Sequence, residues 1–347
     1  MLRAGQGAEV DANLTRPGVV QVRGCRAIFT GDALEITAPN ANSDAVVGFR
    51  DAPRRVCLTA TLADDGVLVS DFGADAEQVA NPITPANAGD IGDRLILIPQ
   101  QTHPKTSTDE LRALILQLAE EQNVAVIVPS KLRVAQWAVD ATMVLDKSNL
   151  SDGVAAMRAN PRSGLYVFIN RYDGVDLPGD ACHVLVIDGL PEALGGIERV
   201  ESAQLRGTGL LVARQVQRLE QGMSRDTRSN EEYCVVFLLG ERLHGPHARG
   251  SFSPATRAQI ELSEEVGDLI QGTETDALRQ AAQRCLDRDS GWLAASRSRL
   301  ATPRYEPARV TPVAVGTRRA FELAAARNYS EALTALQEPI NETPNPR

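Results

Sequence analysis

The sequence predicts an α/β domain built on a parallel sheet between about residues 94 and 245, and three observations predict it. Short β-rich runs recur there, they are continuously apolar rather than alternating, and helix-period stretches separate most of them. A strand covered on both faces has no polar side to show, so it reads as an unbroken apolar run. Strands that alternate with helices build βαβ units and hence a doubly wound sheet.

The elements follow in order. The first 50 residues are turn-rich, with strand signals only at 19–22 and 46–49. The β-rich runs are 56–62 (VCLTATL), 94–99 (RLILIP), 124–129 (VAVIVP), 164–170 (GLYVFIN), 183–189 (HVLVIDG) and 233–239 (YCVVFLL). Between them, Ser107-Thr108-Asp109-Glu110 has capping-box spacing, and Leu111, Leu114, Ile115 and Leu118 form one apolar stripe. Together they predict a helix from its first turn onward. Residues 132–145 and 152–160 are read as further helices. After Gly240, Ser253-Pro254 reads as an N-cap followed by a first-turn proline, opening a helix to about residue 271. Residues 276–288 and 317–337 are expected to be helical as well.

Composition narrows the function classes. At roughly 150 residues per domain, 347 residues suggest two domains, and 43% hydrophobic with 23% charged residues is a globular balance. A net charge of −9 means that any nucleic-acid surface must be local. Lys105, Lys131 and Lys147 are the only lysines among the 36 basic residues. No apolar run reaches membrane-spanning length and the N-terminus lacks a hydrophobic signal core, so no membrane partner is expected. Five scattered cysteines without a C-x-x-C pair are expected to be reduced thiols of a cytoplasmic protein, with no metal site.

Four segments carry candidate chemistry. In 210–229, Val212, Val216, Leu219 and Met223 make a stripe that can pack on a sheet. Arg214, Gln217, Gln221, Arg225 and Arg228 recur on a different face. Planar guanidinium and amide forks there suit phosphate oxygens; the alternative is a solvated face paired with Glu220 and Asp226. In 164–180 a strand runs into D-G-V-D, with Asp173 and Asp176 flanking Gly174 at a carboxyl end where open α/β sheets bind ligands. A plain capped turn is the alternative. Thr59-Ala60-Thr61 places two hydroxyls at a strand end. Lastly, 297–319 holds six arginines against the single acid Glu306, a basic stretch that includes Arg297 and Arg299. His244 and His247 bracket a Gly-Pro turn without a third ligand, and His183, Trp137 and Trp292 are expected to be structural.

Taken in order, these segments resemble the C-terminal half of a superfamily-two DEAD/DEAH helicase, nearest the DinG/XPD-like group. Motif III of that family corresponds to Thr59–Thr61, motif IV to the strand at 124–130 ending in Ser130, motif V to Gly174 and Asp176, and motif VI to Gln221, Arg225 and Arg228. The resemblance spans about residues 50–245. It implies a RecA-like parallel sheet of the P-loop NTPase type, the second motor domain, with a C-terminal helical extension. It further implies that Arg225 and Arg228 reach the ATP γ-phosphate as arginine fingers with Gln221 beside them. Gly174, Asp176 and Ser130 would line nucleotide and nucleic acid, and Thr59 and Thr61 would couple hydrolysis to strand movement.

Two departures accompany the match. Ser224 stands where the family has glycine, and neither a G-x-x-x-x-G-K-[ST] loop nor a DEAD/DEAH tetrapeptide occurs. The expected division is therefore 1–93 as the trailing part of a first RecA-like domain, 94–245 as the second, and 246–347 as a helical extension. ATP and Mg²⁺ are expected only with a complementing first domain, and no iron–sulfur cluster. The expected partners are nucleic acid, DNA before RNA, and that first helicase domain. The other reading is a non-catalytic nucleic-acid- or protein-binding module on a degenerate helicase domain, with Arg297 and Arg299 holding phosphates.

Overall fold

A computed structural model describes residues 26–30, 33–37, 43, 46–58, 66–84, 92–160, 162, 164–172, 177, 181–192, 195–206, 209–223, 232–240, 251–270, 275–304 and 310–342. The elements begin with β1 (Arg26–Thr30), β2 (Ala33–Thr37), α1 (Val47–Arg50), α2 (Gly66–Ser70) and α3 (Ala76–Ala80). Then come β3 (Asp93–Leu97), α4 (Pro99–Thr102), α5 (Thr108–Glu121), β4 (Asn123–Val128), α6 (Lys131–Val134), β5 (Met143–Leu145), α7 (Leu150–Ala159) and β6 (Gly164–Ile169). They continue with β7 (Val184–Asp188), α8 (Gly196–Gln204), α9 (Gly209–Met223) and β8 (Tyr233–Leu239). The last are α10 (Pro254–Ile270), α11 (Thr275–Leu286), α12 (Ser290–Leu300), α13 (Pro312–Ala325) and α14 (Tyr329–Glu342).

Two compact units divide the chain. The larger comprises Thr84–Glu192 and Gly209–Tyr305. Its six strands lie in the order β3-β8-β7-β4-β6-β5, all parallel. Alternate residues of each strand feed two cores. Leu95, Leu97, Val124, Val126, Val186, Val235 and Phe237 meet the stripe Leu111, Leu114, Ile115 and Leu118 of α5, and also Leu278 and Cys285 of α11. Ile96, Ala125, Ile127, Leu185, Ile187 and Val236 meet Val216, Leu219 and Met223 of α9. Both faces are covered, which is why the runs are continuously apolar. This is the α/β parallel sheet flanked by helices that the sequence predicted.

Buried polar side chains close the margins of this sheet. The amide of Asn123 donates to the carbonyls of Met157, Asn160 and Ala181 at 2.8–2.9 Å, tying three segments together beneath the amino end of β4. Asp93 accepts from Ser296 Oγ at 2.5 Å and pairs with Arg288 at 3.0 Å. Arg288 lies 4.9 Å over the Tyr233 ring, which stacks on His183 at 4.1 Å. On the outer side of β3, Ser263 Oγ of α10 accepts the Ile96 N–H at 2.8 Å. Gln259 takes the Arg94 Nε–H at 2.7 Å and donates to Gly92 O at 3.0 Å. The capping box forms as read: Glu110 N donates to Ser107 Oγ at 3.2 Å and Ser107 N to Glu110 Oε2 at 2.7 Å.

The smaller unit comprises Met1–Ile83, Ala193–Thr208 and Glu306–Arg347. Its antiparallel hairpin β1–β2 runs from Arg26↔Thr37 to Thr30↔Ala33. Glu35 of β2 accepts the N–H groups of Gly196 and Ile197 at 2.6 and 3.0 Å, occupying the N-terminus of α8. The Ile197 and then the Gly196 bond hold its carboxyl below the ordinary glutamate range. In α13, Gly316 allows close approach to α14: a Cβ there would stand 2.6 Å from the Ala335 carbonyl oxygen.

Several local expectations are corrected. Residues 46–49 are not a strand, because Val47–Arg50 is a helical turn. The helix expected over 132–145 is only Lys131–Val134, followed by turns and by β5. The helix expected over 317–337 is two helices, parted at Ala326–Asn328 by Arg327 at φ 66°. Residues 19–22, His244 and His247 lie outside the described residues.

Candidate functional site at the carboxyl end of the sheet

The strand order has one reversal. From β4 the chain moves toward β5, while from β7 it moves toward β8, and β4 and β7 are neighbours. Outside their carboxyl ends lies the crevice where open α/β sheets take ligands.

Each strand end contributes something there. Ser130 follows β4, half-buried, in the extended conformation that precedes α6 and with no capping bond from its side chain. Asp188 ends β7 with its side chain only 8% exposed. Its Oδ2 accepts the Trp137 Nε1–H at 2.9 Å, and its Oδ1 stands 3.6 Å from Arg133. Gly189 then turns at φ 106°, with its N–H on Leu239 O at 3.0 Å. A side chain is strained at that φ and its Cβ would stand 3.3 Å from Pro129. After β6, Asn170 at φ 48° donates its N–H to Val128 O at 2.7 Å. Tyr172 is buried and gives its hydroxyl to Gly189 O at 2.9 Å. Burial first, and then the charges of Asp188 and Glu192, push its phenol pKa up; Arg218 opposes them.

The end of α9 closes over the same place. Gly222 is buried, and a Cβ on it would be in ordinary contact with Tyr172, Ile127 and Ile187, at 3.7–3.8 Å. Gln221 beside it is exposed, while Val216, Leu219 and Met223 are in the core. The apolar stripe read in α9 thus packs as expected. Buried Glu220 accepts the Ser253 N–H at 2.9 Å, fixing the last turn of α9 to the start of α10.

Of the residues singled out in the sequence, Thr59, Thr61, Gly174, Asp176, Arg225 and Arg228 lie outside the described residues. Ser130 and Gln221 are described, and both stand at this carboxyl end. Arg297 and Arg299 are on α12. Arg299 is bound to Glu265 and is 4.0 Å from Glu261, whereas Arg297 is exposed. Arg318 and Arg319, from the same basic stretch, belong to the smaller unit. Among the described residues no group of three His, Cys, Asp or Glu side chains could hold a metal ion, and no helix is long and apolar enough to cross a membrane. Sequence reasoning missed Asp188, Asn170, Tyr172 and Arg133. Only the polar residue that ends an otherwise apolar run, as in VLVID, could have signalled Asp188.

No family model matches the chain, and no curated protein matches it in sequence. Among solved structures it is similar to an XPD helicase at TM-score 0.46 and 16% identity, over 66% of this chain and 46% of that one. It is also similar to apo XPD at TM-score 0.35 and 17% identity, over 47% of this chain and 39% of that one. The chain spans less than half the length of either.

Proposed function

We propose that this chain is the C-terminal motor half of an ATP-dependent nucleic-acid helicase, supplying motifs IV–VI to a first RecA-like domain that the chain itself does not contain. The observation that carries this reading is the nearness of Tyr172 to Gly222, where an added Cβ would meet the Tyr172 ring at 3.7 Å. The motif V turn follows Tyr172 within four residues, and the motif VI arginines follow Gly222 within six. The described residues that precede these two segments, far apart in sequence, are therefore neighbours beside Ile127 of β4 and Ile187 of β7. Convergence of this kind is what a shared phosphate site needs.

In this reading Arg225 and Arg228 place guanidinium charge at the γ-phosphate, with Gln221 as their polar neighbour. Asp188, through Trp137 and Arg133, holds the segment after Ser130 against β7. Bound ATP·Mg²⁺ supplies the phosphoryl group and its charge neutralisation; the complementing domain holds both. Exposed apolar side chains support a complementing domain: residues 54–58 form neither helix nor strand, and Val56 and Leu58 are 81% and 91% exposed.

Steady-state ATPase with single-stranded DNA tests the proposal. The chain alone is expected to be inactive. Activity is expected when a Walker-A-bearing RecA-like domain complements it, and Arg225→Ala or Arg228→Ala should abolish that activity. ATPase from the purified chain alone, or complemented activity indifferent to both arginines, overturns the reading.

A further inference from the structure

Where β4 and β6 leave the sheet, two cations and a hydroxyl stand without partners. The strands pair up to Val128↔Ile169, so Ser130 and Arg171 lie in register, each two residues past that last pair. The Asn170 N–H on Val128 O at 2.7 Å carries the alignment one step further. Asn170 is buried at φ 48°, a left-handed bend just before Arg171. Arg171 is half-buried, and its Nε is shut off from water with no hydrogen-bond acceptor. Exposed Lys131 opens α6 directly after Ser130, whose half-buried hydroxyl makes no hydrogen bond among the described residues. Neither cation is in an ion pair among the described residues. Arg133 differs, with Asp188 at 3.6 Å and Gln136 Oε1 at 2.9 Å.

The chemistry of this set selects its ligand. Arginine and lysine are donors only, and the serine hydroxyl can add a third. An unpaired donor inside a protein is costly, so the buried Arg171 nitrogen calls for an acceptor. A planar fork beside a point charge suits the oxygens of a phosphate. One carboxylate stands close by. Asp146 lies in the turn after β5, the strand beside β6, and its Oδ1 accepts the Ser148 hydroxyl at 2.6 Å and the Ser148 N–H at 2.7 Å. Those two bonds, first the hydroxyl, lower its pKa against desolvation, and the charges of Lys131 and Arg171 lower it further. Asp146 thus acts on both cations without an ion pair to either.

We infer that Ser130, Lys131 and Arg171 form a phosphate-binding site, and that Asp146 is its built-in competitor, an anion that weakens the hold on phosphate. The inference rests on the motor reading for the source of that phosphate, the backbone of a single-stranded nucleic acid; the site itself follows from its donors.

Binding to the full chain, with no ATPase step, tests it. One arm is fluorescence anisotropy with a labelled oligodeoxythymidine at about 50 mM salt, and the other is titration calorimetry with ATP·Mg²⁺. Lys131→Ala and Arg171→Gln should each weaken oligonucleotide binding about tenfold, with unchanged far-UV circular dichroism. Each should also lower the salt slope by about 0.7. Asp146→Asn keeps an acceptor for Ser148 and should tighten binding severalfold. Arg158→Ala removes an exposed charge in the last turn of α7 and should leave binding as it was. A loss confined to ATP·Mg²⁺ supports the site and makes its source a nucleotide. Binding of neither probe, equal losses in Arg158→Ala, or an Asp146→Asn chain that binds no tighter overturns the inference. Normal binding by the Lys131 and Arg171 variants refutes the site even if complemented ATPase depends on Arg225. Their loss of binding upholds it even if no complemented ATPase is found.

Discussion

The indole of Trp137 donates its N–H to the buried carboxylate of Asp188 at 2.9 Å, joining the segment after β4 to the end of β7. The second oxygen of Asp188 stands 3.6 Å from Arg133, which is 41% exposed, so its charge is partly balanced. Trp137→Phe keeps most of the packing and takes one donor from a buried carboxylate. The expected loss is about 1–3 kcal/mol, measured by urea unfolding. Asp188→Asn should cost less than Asp188→Ala, because the amide oxygen can still accept the indole proton.

Asn123 is a second point of failure. Its amide serves Met157, Asn160 and Ala181, and Ala at this position leaves those carbonyls unbonded beneath the sheet. Asn123→Ala should destabilise the larger unit by about 2–3 kcal/mol, while Asn123→Asp should be no better, since a carboxylate cannot donate. Chemical unfolding of the two variants in parallel checks both statements.

Acid should loosen the β1–β2 hairpin. Glu35 has its pKa lowered in the folded chain, by Ile197 N–H first and Gly196 N–H second. A lowered folded value contributes stability above the unfolded pKa, and that stability is lost as pH falls through the folded value. Hydrogen exchange at the amides of Gly196 and Ile197 should therefore accelerate as pH falls below the ordinary glutamate range, after correction for intrinsic rates. In Glu35→Gln that acid step should be absent.

Thiol chemistry should separate the cysteines. Cys57 is exposed, whereas Cys285 is fully buried. Burial first, and the charge of Asp93 second, push the Cys285 thiol up to about 12 against the opposing Leu95 N–H, Arg288 and Trp292. Alkylation at about pH 8 should label Cys57 in the folded chain and reach Cys285 only on unfolding, as peptide mass spectrometry would show.

The sheet was legible because its strands are covered on both faces: five of the six β-rich runs became strands of one parallel sheet. The α5 capping box and the α9 stripe were legible because they depend on neighbours three and four residues away. What depended on distant partners was not. Met143–Leu145 is a strand only because Tyr166–Phe168 lies beside it; as a sequence it joins the helix-like pattern before it. Motif order alone was enough to single out Ser130 and Gln221, because it needs no knowledge of what stands beside them. Asp188 becomes meaningful only once β7 stands beside β4 and brings Trp137 within reach.

The helix α10 sets three polar residues, Thr256, Gln259 and Ser263, along the free side of β3. An outermost strand with bare amides would invite another chain to extend the sheet. Here the Ile96 N–H and the Gly92 carbonyl, on or beside that strand, are already engaged by side chains, and the opposite margin, β5, is only three residues long. Polar substitution is thus not a defect in that helix. It caps the sheet at six strands and protects it from edge-to-edge aggregation, so making these three positions uniformly aliphatic would trade a closed margin for a sticky one.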